Sequence, residues 1–276
     1  MIDGGFRKNT VNVLCGGPGA GKSTFAIQYI LHNLNRNHTG LLISFEMSEK
    51  QIIQDCLSLG FFEIEEHIEN GSLTILHFFG EDLVFPPLDF IQDIREVIKG
   101  GEDVLISIDP FTYLTLFMDE TERKFLSMIF QELREIGTTV VTLEENKNGS
   151  PVTLLPLYLA DSVICLEDIG MGELYNRTLK IVKTRGARHG EGLYPYSIEN
   201  GVGIVVEATM GQKSRIMAKR DFDDVFDEEI GKIARSEDPL APKVSRKLEV
   251  LKDNWVRDSD PRDLIDLVIR TELGSR

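Results

Sequence analysis

Residues Gly16-Gly17-Pro18-Gly19-Ala20-Gly21-Lys22-Ser23-Thr24 fit G-x-x-x-x-G-K-S/T, the spacing of a phosphate-binding loop. The chemistry this pattern serves is electrostatic. Glycines let successive backbone N–H groups turn inward around phosphate oxygens, and the first turn of a following helix adds partial positive charge. Lys22 can reach the β- and γ-phosphates, and the Ser23 hydroxyl can ligate Mg²⁺. Gly17, Pro18, Gly19, Ala20, Gly21, Lys22, Ser23 and Thr24 are therefore the candidate cradle for a nucleoside triphosphate, read as ATP. The flanks agree with that reading: Thr10 to Leu14 is an apolar strand pattern, and Thr24 to Leu31 a helical one.

Two carboxylates stand where they could complete such a site. Asp109 closes the apolar run Val104-Leu105-Ile106-Ser107-Ile108, the pattern of an aspartate that holds Mg²⁺, usually through water, beside the loop hydroxyl. Glu46 closes Gly40 to Phe45, where it could orient or deprotonate the water that attacks a γ-phosphate. Taken alone, Glu46 reads equally well as an exposed loop carboxylate.

The elements that must position these groups can be laid out along the chain. After the loop helix and the Gly40 strand, Ser48 with Gln51 three residues on predicts a capped helix to about Leu59. A third strand follows at Leu73 to Phe78. Pro86-Pro87 opens a helix with Phe90, Ile91, Ile94, Val97 and Ile98 on its apolar face. The Val104 strand, a helix from Thr121 to Ile136 and a fifth strand at Thr138 to Leu143 complete the alternation, with Glu144 at the last strand's end. Strands that are apolar on both faces and alternate with helices predict an α/β fold with a mostly parallel sheet covered on both sides. Functional groups in such sheets collect at the carboxyl ends of strands. From Ser162 onward, four short strands joined by turns predict an antiparallel extension, at Val163 to Leu166, Thr178 to Val182, Tyr194 to Ile198 and Val202 to Val206.

Beyond about Met210 the chain is charged and helical. Val244, Leu248, Leu251 and Trp255 recur at helical spacing, and Asp260-Pro261 is a helix start. Asp238-Pro239-Leu240-Ala241-Pro242 is the expected linker before them. Two domains follow, 1–210 and 211–276.

Bulk properties bound the partners. A formal net charge of -15 opposes tight, non-specific grip on nucleic acid, which needs Lys and Arg against phosphates. Cys15, Cys56 and Cys165 are scattered without metal-ligand spacing, so they are expected as buried, reduced thiols. No apolar run approaches a membrane span and no signal-peptide pattern opens the chain, which predicts a soluble cytoplasmic protein.

Gly4-Gly5-Phe6-Arg7-Lys8, ahead of the first strand, resembles the lead-in of the RecA-like ATPases, a superfamily that includes RadA-like proteins, and especially of the KaiC-like family. In that family a Phe-Glu-Glu motif supplies the catalytic glutamate. Phe45-Glu46-Met47 keeps the first glutamate and has Met in place of the second, so the resemblance assigns water activation to Glu46. Lys183-Thr184-Arg185-Gly186-Ala187-Arg188-His189 resembles the family's K-x-R-G-x-x-H segment, whose Lys and Arg reach the neighbouring subunit's γ-phosphate. An arginine finger of this kind places a fixed cation where negative charge develops.

The resemblance runs from Gly4 to Val206. It implies a RecA-like P-loop core, to which the charged residues 211–276 add a short helical C-terminal extension, and catalysis by Glu46, Lys22, Lys183 and Arg185, with Ser23 and Asp109 on Mg²⁺. It further implies a homo-oligomer, expected as a hexameric ring; the acidic balance of the chain favours a switch, in which the ATP state changes ring shape and the C-terminal helices engage a protein partner. Ser44-Phe45-Glu46-Met47-Ser48 also resembles the S-x-E-M-S of DnaB-type helicases, the alternative being a helicase or recombinase on single-stranded DNA. Its channel loops would be Pro110–Glu120 and Glu145–Leu155. The carboxylates Asp119, Glu120, Glu144 and Glu145 line them poorly for a phosphate track. Whether such a ring phosphorylates itself is not encoded in any of these motifs.

Overall fold

The computed structural model describes residues 2, 4–34, 38–78, 87–98, 103–116, 123–144, 151–168, 177–206, 222–236, 238–253 and 260–273. The chain divides into two compact units, residues 1–207 and 208–276.

In the first unit the strands are β1 (Val11–Gly16), β2 (Thr39–Ser44), β3 (Leu73–His77), β4 (Val104–Asp109), β5 (Gly137–Glu144), β6 (Ser162–Asp168), β7 (Arg177–Thr184), β8 (Leu193–Glu199) and β9 (Gly203–Val206). They form one sheet in the order β3-β2-β4-β5-β1-β6-β7-β8-β9. The ladders from β3 through β6 are parallel, and those from β6 to β9 antiparallel. The helices are α1 (Lys22–Leu34), α2 (Glu49–Leu59), α3 (Glu63–Glu69), α4 (Pro87–Ile98), α5 (Thr112–Leu116), α6 (Arg123–Ile136) and α7 (Pro151–Leu159).

The α/β expectation therefore holds, with a mostly parallel sheet and antiparallel late strands. Two-sided burial explains the uninterrupted apolar strands: β1 and β4 are buried along their whole length. One face packs Val13, Ile43, Ile106 and Val141 against Ile94 of α4 and Leu126, Ile129 and Phe130 of α6. The opposite face packs Leu42 and Leu105 against Ile27, Ile30 and Leu31 of α1 and Ile52 of α2. Ser48 caps α2 as expected, its hydroxyl accepting from the Gln51 N–H while the Gln51 side chain accepts from the Ser48 N–H.

Four readings change. Helices α3, α5 and α7 are short segments that carry too few apolar repeats to stand out from loops. Thr112–Leu116 and Pro151–Leu159, inside the two supposed channel loops, are helical, and Phe111 is wholly buried against Phe130 rather than lining a channel. Residues 117–120 and 145–150 of those loops, Glu145 and Phe117 among them, lie outside the described residues, as do Pro86, Thr121, Met210 and Trp255. The expected linker is shorter than its Pro content suggested, because Ala241 and Pro242 already belong to a helix, whose first turn tolerates Pro. Finally, Cys15 and Cys165 are joined as a disulfide, not free thiols. They face each other in register on β1 and β6, a pairing that a sequence separation of 150 conceals. Cys56 is free and buried, and burial pushes its thiol up to about 12.

The second unit packs α8 (Asp223–Ala234), α9 (Ala241–Asp253) and α10 (Arg262–Leu273) around Phe226, Ile233, Val244, Leu248 and Ile265. The Asp260 carboxylate accepts from the Arg262 N–H at 3.0 Å, and the Pro261 carbonyl accepts from Ile265 at 2.9 Å, so Asp260-Pro261 opens α10 as expected.

Asp161, just before β6, ties four elements of the first unit. Its carboxylate accepts from the Val11 N–H at 2.9 Å and from Arg134 Nε of α6 at 2.8 Å. Its own N–H donates to the Val11 carbonyl, and its carbonyl accepts from the Arg185 N–H, both at 2.8 Å. Arg134 also donates to the Leu159 carbonyl that ends α7, at 2.7 Å. Asp161→Ala leaves a backbone N–H and a guanidinium without their acceptor. It is expected to lower the unfolding free energy by about 2 kcal/mol in urea titrations, the scale of lost charge-assisted hydrogen bonds. A loss under about 0.5 kcal/mol would show that Asp161 is not a junction of the fold.

Candidate functional site

The parallel register brings the candidate groups to one rim. Ser44 of β2 pairs with Asp109 of β4, and Gly16 of β1 pairs with Glu144 of β5, so Glu46, Asp109, Glu144 and the glycine-rich loop all leave the carboxyl ends of neighbouring strands. The loop itself is held by its own backbone. The Ala20 N–H donates to the Gly17 carbonyl at 3.3 Å, and the Phe25 N–H to the Gly21 carbonyl at 2.9 Å, starting α1. Gly19 and Gly21 have φ of +71° and +87°, conformations that side chains resist. Lys22 Nζ donates to the Gly16 and Gly17 carbonyls, both at 3.0 Å, and so lies across the loop.

Glu46 is placed by its neighbours. Phe45 is buried among the rings of Phe78, Phe90 and Tyr113, with centroids 5.7, 6.1 and 6.3 Å away. The Ser44 hydroxyl accepts from the N–H groups of Glu46 and Met47 at 3.3 and 2.9 Å, closing a tight turn at the strand end. An anchored ring on one side and a closed turn on the other leave Glu46 projecting into solvent at the rim. Partial burial raises its pKa above the ordinary value, and the Asp109 and Glu144 charges add to that, with Lys22 opposing them.

Asp109 is buried, and the Thr142 hydroxyl donates to it. Thr142 was not singled out in the sequence, although a hydroxyl two residues before a strand-end carboxylate in an apolar run was a usable signal. Thr112 of α5 was also missed; its hydroxyl accepts from the Glu144 N–H at 2.8 Å and fixes the end of β5. A hydroxyl from Ser23 at the α1 N-terminus and the Asp109 carboxylate are hard oxygen donors, the set that suits Mg²⁺. Among the described residues no group of three or more His, Cys, Asp or Glu is placed to hold a metal ion.

Lys183 and Arg185 do not join this rim. Strand β7 runs antiparallel, with Lys183 opposite Val163 and Thr184 opposite Ser162, at the start of β6. Gly16 stands opposite Leu166, and Leu166 opposite Leu179. Lys183 is thus three strand residues below the loop, about 10 Å along the strand at 3.3 Å per residue, with Arg185 further still. Lys183 Nζ and Arg185 Nη2 donate to the Tyr158 carbonyl at 3.1 and 2.9 Å, capping the negative end of α7. Burial and the Arg185 charge hold the Lys183 pKa below its ordinary value.

The electrostatics at the rim predict a cost in stability. A carboxylate with a raised folded-state pKa is ionised more readily in the unfolded chain, so its charge destabilises the fold above that pKa, and the penalty fades as pH falls. In nucleotide-free, metal-free buffer at pH 7, Glu46→Gln is expected to melt at a higher temperature than the unmodified protein. The gain should vanish below about pH 4, where the unfolded glutamate is also protonated. No gain at pH 7, or one that persists in acid, would contradict this account of Glu46.

The family described as "ATPase: KaiC" matches residues 1–210. The chain is 29% identical over 214 residues to the circadian clock oscillator protein KaiC of Thermosynechococcus vestitus, a match covering 73% of this chain and 41% of that protein. It is 30% identical to KaiC of Acaryochloris marina and 28% identical to KaiC of Synechococcus elongatus, over the same length and shares. The chain spans about two fifths of the length of these relatives. No helix among the described residues is long and apolar enough to cross a membrane. A glycine-rich loop and two strand-end carboxylates on one rim of a RecA-like sheet, inside a family match over residues 1–210, show that the chain belongs to the KaiC ATPase family.

Proposed function

We propose that the chain is a Mg²⁺-dependent ATP hydrolase that works as a ring of identical subunits, most plausibly six, in the cytoplasm. Backbone N–H groups of the loop from Gly19 to Thr24 hold the phosphates, apart from that of Ala20, which stays on the Gly17 carbonyl, and Lys22 neutralises the β- and γ-oxygens. Ser23 and Asp109 hold the Mg²⁺, which when bound offsets charge on the phosphate oxygens. Glu46 takes a proton from the attacking water, helped by a pKa that is raised toward neutrality. Lys183 and Arg185 serve the γ-phosphate of the neighbouring subunit.

The observation that carries this reading is the direction of β7. It puts both cations at the end of the sheet away from their own loop, so a role in hydrolysis requires a second subunit. The ATP state of the ring then acts as a switch. Leu240, Val250 and Leu267, exposed on the three-helix unit, supply apolar surface for a protein partner. The single-stranded DNA alternative draws no support from the fold, since Phe111 is core and Tyr113 stacks on Phe45.

Glu46→Gln is expected to leave ATP binding nearly intact and lower hydrolysis about 10²-fold or more, measured by phosphate release. Unchanged turnover would move the base elsewhere, Glu144 being the next carboxylate on the rim. Complementation tests the shared site directly. Lys22→Ala and Arg185→Ala proteins should each be inactive. On mixing, some interfaces pair an intact loop from the Arg185→Ala subunit with intact cations from the Lys22→Ala subunit, and activity should partly return. Native mass measurements on labelled mixtures establish that subunits have exchanged. Mixed rings without activity would sink the shared site.

A further inference from the structure

Tyr196 lies on β8, 176 residues from the loop in sequence, and its hydroxyl donates to the Ala20 carbonyl at 2.5 Å. Both residues are buried, Tyr196 in the cluster formed by Leu14, Ile164, Leu166 and Ile204. The helical ladder of α1 begins one residue later, at the Gly21 carbonyl, so the Ala20 carbonyl stands outside it. The β8–β9 hairpin that carries Tyr196 is fastened to α1. Gln28 Nε2 donates to the Val202 and Ile204 carbonyls at 3.1 and 3.3 Å, and the Ile204 N–H returns a bond to Gln28 Oε1 at 2.8 Å. Ile198 and Ile204 close on the next residue of the loop, since a Cβ on Gly21 would sit 2.7 Å from Ile198 Cδ1.

A trans peptide is planar, and its C=O and N–H point in opposite directions. A carbonyl fixed toward the core therefore aims the N–H of the same peptide out of it. We propose that Tyr196 is a positioning residue of the nucleotide cradle: its hydroxyl holds the Ala20 carbonyl toward the core and so turns the Gly21 N–H toward phosphate. The inference rests on the reading of Gly17 to Thr24 as the nucleotide site. Without the hydroxyl, the Ala20–Gly21 peptide loses its fixed orientation, and phosphate binding must then supply the ordering itself. Burial pushes the Tyr196 pKa up to about 12, so the phenol remains a donor throughout the physiological range. The arrangement fits a donor that stays protonated at physiological pH, in a place where an anionic oxygen would repel the ligand.

The test compares Tyr196→Phe with 4-aminophenylalanine at the same position, which keeps the ring and restores a donor. The Phe protein should show a KM for ATP raised about 5–10-fold, the scale of one lost hydrogen bond, with kcat within about twofold. Calorimetric Kd values for ATP should move with KM, and the amino variant should return both to near the unmodified values. Tyr196→Met, which fills the space without a donor, replaces the Phe protein should that one not fold. An unchanged KM, or a fall in kcat alone, would overturn the proposal, as would a lowered melting temperature with unchanged affinity. Failure of both donor-less variants to fold would make the hydroxyl a prop of the core and overturn it equally. Lys22→Ala run in parallel separates the two levels. If Lys22→Ala abolishes ATP binding and Tyr196→Phe does not change it, only the role of Tyr196 falls. If neither changes it, the nucleotide site itself is misplaced.

Discussion

Holding a highly charged phosphate chain with neutral backbone amides demands that several N–H groups point at one place before the ligand arrives. An amide that must reorient on binding gives back in entropy what it gains in hydrogen bonding. Every feature around Gly16 to Thr24 answers that demand. The loop leaves the middle of the sheet, with β5 and β6 fixing β1 on either side. Gly19 and Gly21 take up backbone angles that other residues resist. Carbonyls of the loop are engaged by Lys22, by Ala20 and Phe25 N–H groups, and by the Tyr196 hydroxyl, so the loop backbone is held at several points along its length.

Rigidity of the loop is matched by tension in the charges around it. Glu46, Asp109 and Glu144 converge on one rim, and Lys22 is the cation that opposes them in raising the Glu46 pKa. Like charges gathered in a partly desolvated place oppose folding, and the same gathering produces a carboxylate suited to take a proton. The fold tolerates the cost because two extensive apolar faces lie behind the rim. The Thr142 hydroxyl and the ring cage around Phe45 restrict where the carboxylates can go. The charges that would suit Glu46 to the proposed proton transfer are the same ones that cost stability.

The switch from parallel to antiparallel pairing after β6 has two consequences. It returns β8 and β9 to the loop, where Tyr196 meets Ala20, Ile198 meets Gly21, and Gln28 of α1 bonds the backbone of Val202 and Ile204. It also sends Lys183 and Arg185 to the other end of the sheet, onto the Tyr158 carbonyl. One run of strands therefore supports a subunit's own loop while displaying cations away from it. This division is what the proposed site shared between two copies requires.

Features encoded within a few consecutive residues were legible in the sequence by itself. The loop motif, the capping box of Ser48 and Gln51, the two-sided apolar strands and the strand-end carboxylates each depend on local spacing and on the period of the backbone. They determined the fold class, the nucleotide loop and the resemblance that led to the family. Short helices such as α5 and α7 were not legible, because five or nine residues carry too little periodicity to separate helix from loop. What only the tertiary structure decided are the pairings across the chain. The order of strands put Cys15 against Cys165, Thr142 on Asp109 and Tyr196 on Ala20. The direction of β7 decided which end of the sheet receives Lys183 and Arg185. Contacts between residues tens to more than a hundred positions apart follow from which strands lie side by side, and that is settled by packing the whole apolar interior at once rather than by any local stretch of residues.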